Sequence, residues 1–320
     1  MRVVILGGTG LTGPFVARRL DGMGHEVTVF HRGEHEAELP EGVRRLRGDF
    51  AHPPRELSDP APDVVVQMRA ATEAQAVRFL ETFRTAGRAV VISSGDVYRA
   101  YGRLRRLEFG PPGDIPIAED APLRESRYPY RGEKHAPIDG ADQYDKVLVE
   151  AALRAQSALP ITILRFPAVY GPNDSHRFGR WLQQMENSRE LKIDRGFAGW
   201  RWTHGFAEDV AQAVVLAATN DRAAGRTYNV GEQMTPSWAE RLEEWGRIAG
   251  WNGKVLPVPA EELPENQRMP YDWAHHIAVD TSRIRSELGY AEVVARDEGI
   301  ARTIAWERGG YGLRDHPDMA

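Results

Sequence analysis

The residues Gly7-Gly8-Thr9-Gly10-Leu11-Thr12-Gly13 stand directly after the apolar run Val3-Val4-Ile5-Leu6 and directly before Phe15-Val16-Ala17-Arg18-Arg19-Leu20. A short strand, a turn with glycine at 7, 10 and 13, and an amphipathic helix constrain the fold more than any other stretch of the chain. Glycine at these positions lets the backbone turn tightly, approach an anion closely and pack the helix on the strand, while the helix start presents unpaired N–H groups. Pro14 suits the first helical turn, where no donor is needed. The pattern predicts a dinucleotide whose pyrophosphate rests on Gly7, Thr9, Gly10, Leu11, Thr12 and Gly13.

At 320 residues, with 42% hydrophobic and 27% charged residues, the chain has material for one large core or two unequal ones. A net charge of -5 and a pI near 6.1 argue against a surface built to neutralise phosphates. With no cysteine there is no disulfide, thiolate nucleophile or cysteine-held zinc. His275 and His276 are adjacent in sequence and do not share a helical face, so no metal site is expected. The first apolar run is too short for a secretory segment and is used by the first strand, so a cytoplasmic protein with no membrane partner is expected.

Strands are expected over 2–6, 26–30, 43–46, 63–68, 89–92 and 161–166, with helical patterns between most of them. That alternation predicts an α/β fold with a doubly wound parallel sheet of the Rossmann type. Helices are predicted over 71–85 and 143–156, then 206–219, 237–248 and 297–309. Residues 101–142, rich in Pro, Gly and charge, form a long excursion of the kind that is usually functional or disordered. The organisation expected is a cofactor-binding domain over 1–170 and a smaller C-terminal substrate-binding lobe over 171–320, with segments near 206–231 returning to the first core.

The second strand ends Val29-Phe30-His31-Arg32-Gly33. Dinucleotide folds that prefer NAD place an acidic side chain there, whereas a 2′-phosphate requires a cation. With no carboxylate at the strand end, Arg32 is assigned to a 2′-phosphate and His31 to the adenosine, which favours NADP with NAD as the alternative.

Several motifs together resemble those of an extended short-chain dehydrogenase/reductase of the NAD-dependent epimerase/dehydratase family. Besides the glycine turn, they are Gly48-Asp49-Phe50, Val90-Val91-Ile92-Ser93-Ser94-Gly95-Asp96-Val97-Tyr98, Arg165-Phe166-Pro167-Ala168-Val169-Tyr170-Gly171-Pro172, Phe206-Ala207-Glu208-Asp209-Val210-Ala211 and Tyr228-Asn229-Val230-Gly231. The resemblance implies hydride transfer at a nicotinamide, a Tyr acid/base, a Lys that lowers its pKa and holds the ribose, and a Ser or Thr on the substrate oxygen. It places Asp49 and Phe50 at the adenine, Met68, Pro167 and Val169 along the cofactor, Ser94 as the hydroxyl and Ser93 as structural. It also implies a homodimer through helices flanking the sheet.

The Tyr and Lys depart from the pattern. The family sets them four apart on one helix, so that both stack over the ribose. Matching Lys146 to the family lysine puts Asp142 where Tyr belongs. Tyr144 lies only two residues from Lys146, about 200° round a regular helix, so the two converge only if the helix starts late or kinks. The literal Tyr130-xxx-Lys134 pair lies in poor helix context between Pro129 and Pro137. The candidates are therefore Lys146 at the ribose and Tyr144 or Tyr130 as acid/base, with Asp142 as a helix N-cap. For the substrate the candidates are Asp96, Tyr170 and Arg201, with Trp181, Trp200 and Trp202 as ring-stacking surfaces or core. Ala168 stands where sugar-nucleotide enzymes of the family often carry Asn. Two functions follow: an NADP-dependent epimerase, dehydratase or reductase acting on a sugar-like or other hydroxylated or carbonyl small molecule, or a non-catalytic dinucleotide-binding relative. Some such relatives bind RNA, and here the arginines at 44, 45 and 47 and at 99, 103, 105 and 106 would serve.

Overall fold

The computed structural model describes residues 1–34, 37–133, 140–174 and 177–309. The strands are β1 Arg2–Leu6, β2 Glu26–His31, β3 Arg44–Arg47, β4 Val64–Gln67, β5 Arg88–Ser94, β6 Ile161–Phe166, β7 Ala168–Tyr170, β8 Glu190–Asp194, β9 His204–Phe206, β10 Thr227–Asn229 and β11 Lys254–Val258. The α-helices are α1 Gly13–Gly22, α2 Glu73–Thr82, α3 Arg99–Leu104, α4 Lys146–Arg154, α5 Gly179–Asn187, α6 Arg195–Gly199, α7 Ala207–Thr219, α8 Trp238–Ile248, α9 Ser282–Leu288 and α10 Arg296–Arg308.

Seven strands form one parallel sheet in the order β10-β6-β5-β4-β1-β2-β3. The reason lies in β1, whose residues are apolar on both faces. Val3 and Ile5 enter a core shared with α1 and α7, while Val4 and Leu6 enter a second core shared with α2 and α4. A strand buried on both sides suits a parallel sheet covered by helices on each face. Because β10 is an edge strand of this sheet, residues 227–229 rejoin it after the chain has left for the smaller lobe.

That lobe is built around a third core of aromatic residues, including Phe178, Trp181, Phe197, Trp200, Trp238 and Trp245. Phe178 stacks on Trp245 with ring centroids 3.6 Å apart, and β8 pairs with β11 beside it. Trp181 and Trp200, weighed as stacking surfaces for a substrate ring, are consumed by this packing. The apolar faces of α2 and α4 press onto the sheet through Ala76, Phe79, Val149 and Leu153. Among the described residues no helix is long and apolar enough to cross a membrane.

One expected helix is shorter than its sequence pattern. The stretch 143–156 becomes helical only from Lys146, because Asp145 caps it with a side-chain oxygen 2.9 Å from the Val147 N–H. Asp142, read as the cap, lies in a separate turn and accepts from the Gly132 N–H at 2.8 Å.

Candidate active site

The glycine turn opens a cleft at the carboxyl ends of β1, β2 and β4, the place where parallel sheets of this kind bind ligands. Gly7, Thr9, Gly10, Leu11, Thr12, Gly13, His31, Arg32, Met68 and Val169 line it, with Phe50, Arg69, Ile92 and Phe166. Three glycines do three different jobs. Gly7 has φ +86°, a conformation that L side chains rarely adopt. A Cβ on Gly13 would sit 2.5 Å from the backbone of Gly8, so the helix packs on the turn only without one. A Cβ on Gly10 would meet no atom within 4 Å and would stand in the open cleft. That empty approach, above the N-terminus of α1, fits a pyrophosphate.

A second cleft adjoins the first and is lined by Phe30, Asp49, Phe50, Gln75, Arg78 and Phe79 among others. Phe50 meets Phe30 edge-on at 5.3 Å, giving it an apolar wall suited to an adenine. Asp49 is on the rim, but its carboxylate accepts from the Ala51 N–H at 2.8 Å and closes its own turn. Burial, followed by the charges of Arg47 and Arg45, lowers the His31 pKa, which favours a neutral ring. Arg32 reaches the cleft as expected. No carboxylate stands at the strand end itself, but Glu34 just beyond it also lines the cleft and binds the Arg32 guanidinium at 2.6 Å. Its place three residues beyond the strand hid it from a reading of the strand end alone. Pro167 is absent from the walls of this cleft and packs against Gly205 and Gly231.

Behind the inner wall of the cleft the catalytic candidates converge. Ser94 ends β5, two residues after the cleft-lining Ile92. The Lys146 ammonium donates to the carbonyl of Ile92 at 2.9 Å and to that of Ala70 at 2.6 Å. The Tyr144 hydroxyl donates to Asp96 Oδ2 at 2.7 Å, and Ser94, whose Oγ accepts from the Asp96 N–H at 3.2 Å, lies close enough to act on the Tyr144 pKa. Tyr144 and Lys146 both lie near Asp96 despite their two-residue spacing. Tyr144 (φ -67°, ψ 123°) and Asp145 (φ -158°, ψ 104°) are extended, and in extended chain residues i and i+2 share a face. Tyr130, the other candidate, bonds the Tyr101 hydroxyl at 2.7 Å and packs its ring on Tyr144. Lys134 lies outside the described residues.

The electrostatics differ from a Tyr–Lys couple. Asp96 is 6% exposed and its Oδ1 is buried without a partner. Arg124, close by, directs its bonds to the Asp96 and Ser126 carbonyls and to Asp145. Burial therefore outweighs the nearby cations and raises the Asp96 pKa. Burial, then Asp96, raises Tyr144 well above its ordinary value of 10.0. Burial, partly offset by Asp96 and Glu150, lowers Lys146 to about 8.

Below this cluster a buried network fixes β5, β6 and α4. Ser93 donates to Glu150 at 2.6 Å, and Arg165 reaches both oxygens of Glu150 at 2.9 and 2.7 Å. Arg165 also donates to the Tyr98 hydroxyl, which donates in turn to Asn229.

Two substrate candidates lie elsewhere. Tyr170 is 1% exposed and packs among Phe178, Phe206 and Trp245, so its ring belongs to the aromatic core. Arg201 donates to the Thr235 carbonyl and pairs with Glu240, within the smaller lobe.

Residues 3–231 match the family model described as the NAD dependent epimerase/dehydratase family. The chain is 29% identical over 277 residues to the 2′-dehydrokanamycin reductase of Streptomyces kanamyceticus, covering 83% of this chain and 71% of that protein. It is 27% identical over 191 residues to the dTDP-glucose 4,6-dehydratase of Streptomyces griseus, covering 59% and 52%. Among solved structures, the UDP-glucuronic acid 4-epimerase of Bacillus cereus superposes with a TM-score of 0.71 at 18% identity, covering 97% of this chain and 100% of that one. With the glycine turn, the parallel sheet and the match across most of its length, the chain belongs to the NAD-dependent epimerase/dehydratase family of enzymes.

Proposed function

We propose that this enzyme is an NADP-dependent reductase of a sugar-like ketone, in which Ser94, Tyr144 and Asp96 handle the substrate oxygen and its proton. The observation that carries the reading is the 2.7 Å bond between Tyr144 and a buried carboxyl whose second oxygen has no partner. A tyrosine that keeps its proton serves reduction, in which a carbonyl carbon gains hydride and its oxygen gains a proton. A bound nicotinamide supplies the hydride. Ser94 and Tyr144 present hydroxyls to the substrate oxygen; Tyr144 turns its proton from Asp96 to that oxygen, and Asp96, in its carboxylic acid form, passes its own proton to the phenolate oxygen and is left as the carboxylate. Lys146, anchored on two backbone carbonyls, positions the wall that faces the ribose. The relative named for reducing a dehydrokanamycin supports a ketone on an aminated or hydroxylated ring as the substrate class.

Arg32 supports NADP. The Glu34 carboxylate in the same cleft favours a second reading, NAD, in which it would accept from the ribose hydroxyls. The RNA-binding alternative loses its main support, because the basic clusters are engaged within the chain. Arg44 pairs with Glu56, Arg99 with Glu125, Arg105 with Glu133, and Arg106 donates to the Pro270 carbonyl. We also assign the enzyme to the cytoplasm and to a homodimer through the outer surfaces of α2 and α4, where Val77 is exposed.

The test is loss of nicotinamide absorbance with NADPH and a panel of keto-aminoglycosides and keto-nucleotide sugars. Tyr144→Phe and Ser94→Ala are expected to lower kcat by about 10²–10⁴-fold while cofactor fluorescence titrations stay unchanged. Full turnover in both variants would refute the assignment.

A further inference from the structure

Arg69 follows β4 and was passed over in the sequence beside the cofactor candidate Met68. Its place in the sheet is informative. Leu6 of β1 is paired with Phe30 of β2 and with Gln67 of β4. Arg32 and Arg69 therefore stand at the same level, each two residues beyond a partner of Leu6, on opposite sides of β1. Adjacent strands are about 4.8 Å apart, so the two backbones flank β1 at roughly 10 Å. Two arginine side chains reaching inward would span that gap.

The stem of Arg69 takes that direction. A Cβ built on Gly7 would lie 2.6 Å from Arg69 Cγ and 2.8 Å from Cδ, so the side chain crosses the first glycine of the turn. Arg32, Phe50 and Arg69 each line both the pyrophosphate cleft and the adjoining apolar cleft. They stand where the two clefts meet, where the adenosine ribose of a bound dinucleotide would pass from one to the other. Arg32 alone makes a weak selector there, because Glu34 binds its guanidinium. A second guanidinium offers a phosphate a further fork of N–H donors that a hydroxyl cannot use equally.

We infer that Arg69 is a specificity-determining residue which, with Arg32, grips the 2′-phosphate of the cofactor's adenosine from the β4 side. The inference rests on the NADP reading, and its test separates the two. Adenosine 2′,5′-bisphosphate and adenosine 5′-monophosphate, titrated calorimetrically, differ by the 2′-phosphate alone. The wild type is expected to bind the bisphosphate more tightly. Arg69→Met, which keeps the stem over Gly7, is expected to lose about tenfold or more for the bisphosphate, roughly 1.4 kcal/mol, and to bind the monophosphate within about twofold of the wild type. Arg69→Lys is expected to recover part of the loss, and thermal melts check that each variant is folded.

Equal weakening of both nucleotides by Arg69→Met would overturn the inference and make Arg69 a clamp on the 5′-phosphate. An unchanged bisphosphate affinity would also overturn it. If the wild type prefers the bisphosphate and only Arg32→Met abolishes that preference, the NADP reading stands and the role of Arg69 falls. If the wild type shows no preference, both fall together.

Discussion

Glu150→Ala removes the counter-charge of a buried arginine in one step. Glu150 is 1% exposed and Arg165 2%. The carboxylate accepts from Ser93 and twice from Arg165, and these bonds, with the Arg165 charge, hold its pKa below the ordinary value despite burial. Truncating Glu150 leaves the guanidinium in the core with the Tyr98 hydroxyl and the Glu119 carbonyl as its remaining partners. Breaking a buried pair from one side costs about 3–5 kcal/mol. An unfolding entropy of about 2.1 cal/mol/K per residue, over 320 residues, gives roughly 0.7 kcal/mol/K. Scanning calorimetry at neutral pH should therefore show Tm lower by about 4–7 °C. Glu150→Gln keeps the shape and acceptor oxygen and should lose less. The double change Glu150→Leu with Arg165→Met should regain much of the loss, since apolar pairs of similar volume often replace buried ion pairs neutrally. A Glu150→Ala melt within about 1 °C of the wild type would refute this account of the network.

Gly13→Ala, whose Cβ would press on the Gly8 backbone, should lower Tm, whereas Gly10→Ala should leave the melt unchanged and weaken dinucleotide binding about tenfold; nucleotide titration beside a melt distinguishes them. Burial, with Asp174 nearby, raises the Glu307 carboxyl to about 7. The stability this group contributes is present below its unfolded value near 4.5 and is lost as pH rises through 7, so Glu307→Gln should stabilise the protein at pH 8 and not at pH 4. Equal effects at both pH values would refute that. Asp96, also raised, should give kcat for ketone reduction a limb that falls as pH rises past the ordinary carboxylate range, and Asp96→Asn should remove that limb from the pH profile.

The fold was legible because its strongest signals are periodic. Four consecutive apolar residues in β1 require cover on both faces, and the helices between strands supply it. Ser94 and Asp96 were legible because a strand end fixes them. The Tyr144–Lys146 relation was not, since it depends on where α4 begins. That point is set by Asp145, which receives the N–H of Tyr128 at 2.8 Å and the guanidinium of Arg124, both far off in sequence. Tyr170 misled for the opposite reason. Its surrounding motif is intact, but the aromatic lobe that buries it is assembled from residues 178–245 and leaves no trace beside position 170. Glu34 and Arg69 escaped because they stand three and two residues past a strand, where register rather than local pattern decides what faces the cleft.

The late start of α4 has a consequence for how this site can be switched off. Across Asp145 the chain changes from a two-residue to a 3.6-residue repeat, and the cap works as a gear between them. Were the cap lost and the helix to wind back by one turn, Tyr144 would swing through about 200° relative to Lys146 and leave Asp96. Every reacting group would still be present and the sheet untouched. A single capping carboxylate thus decides whether Tyr144 faces Asp96, and an engineer seeking a conditional enzyme would place the trigger there.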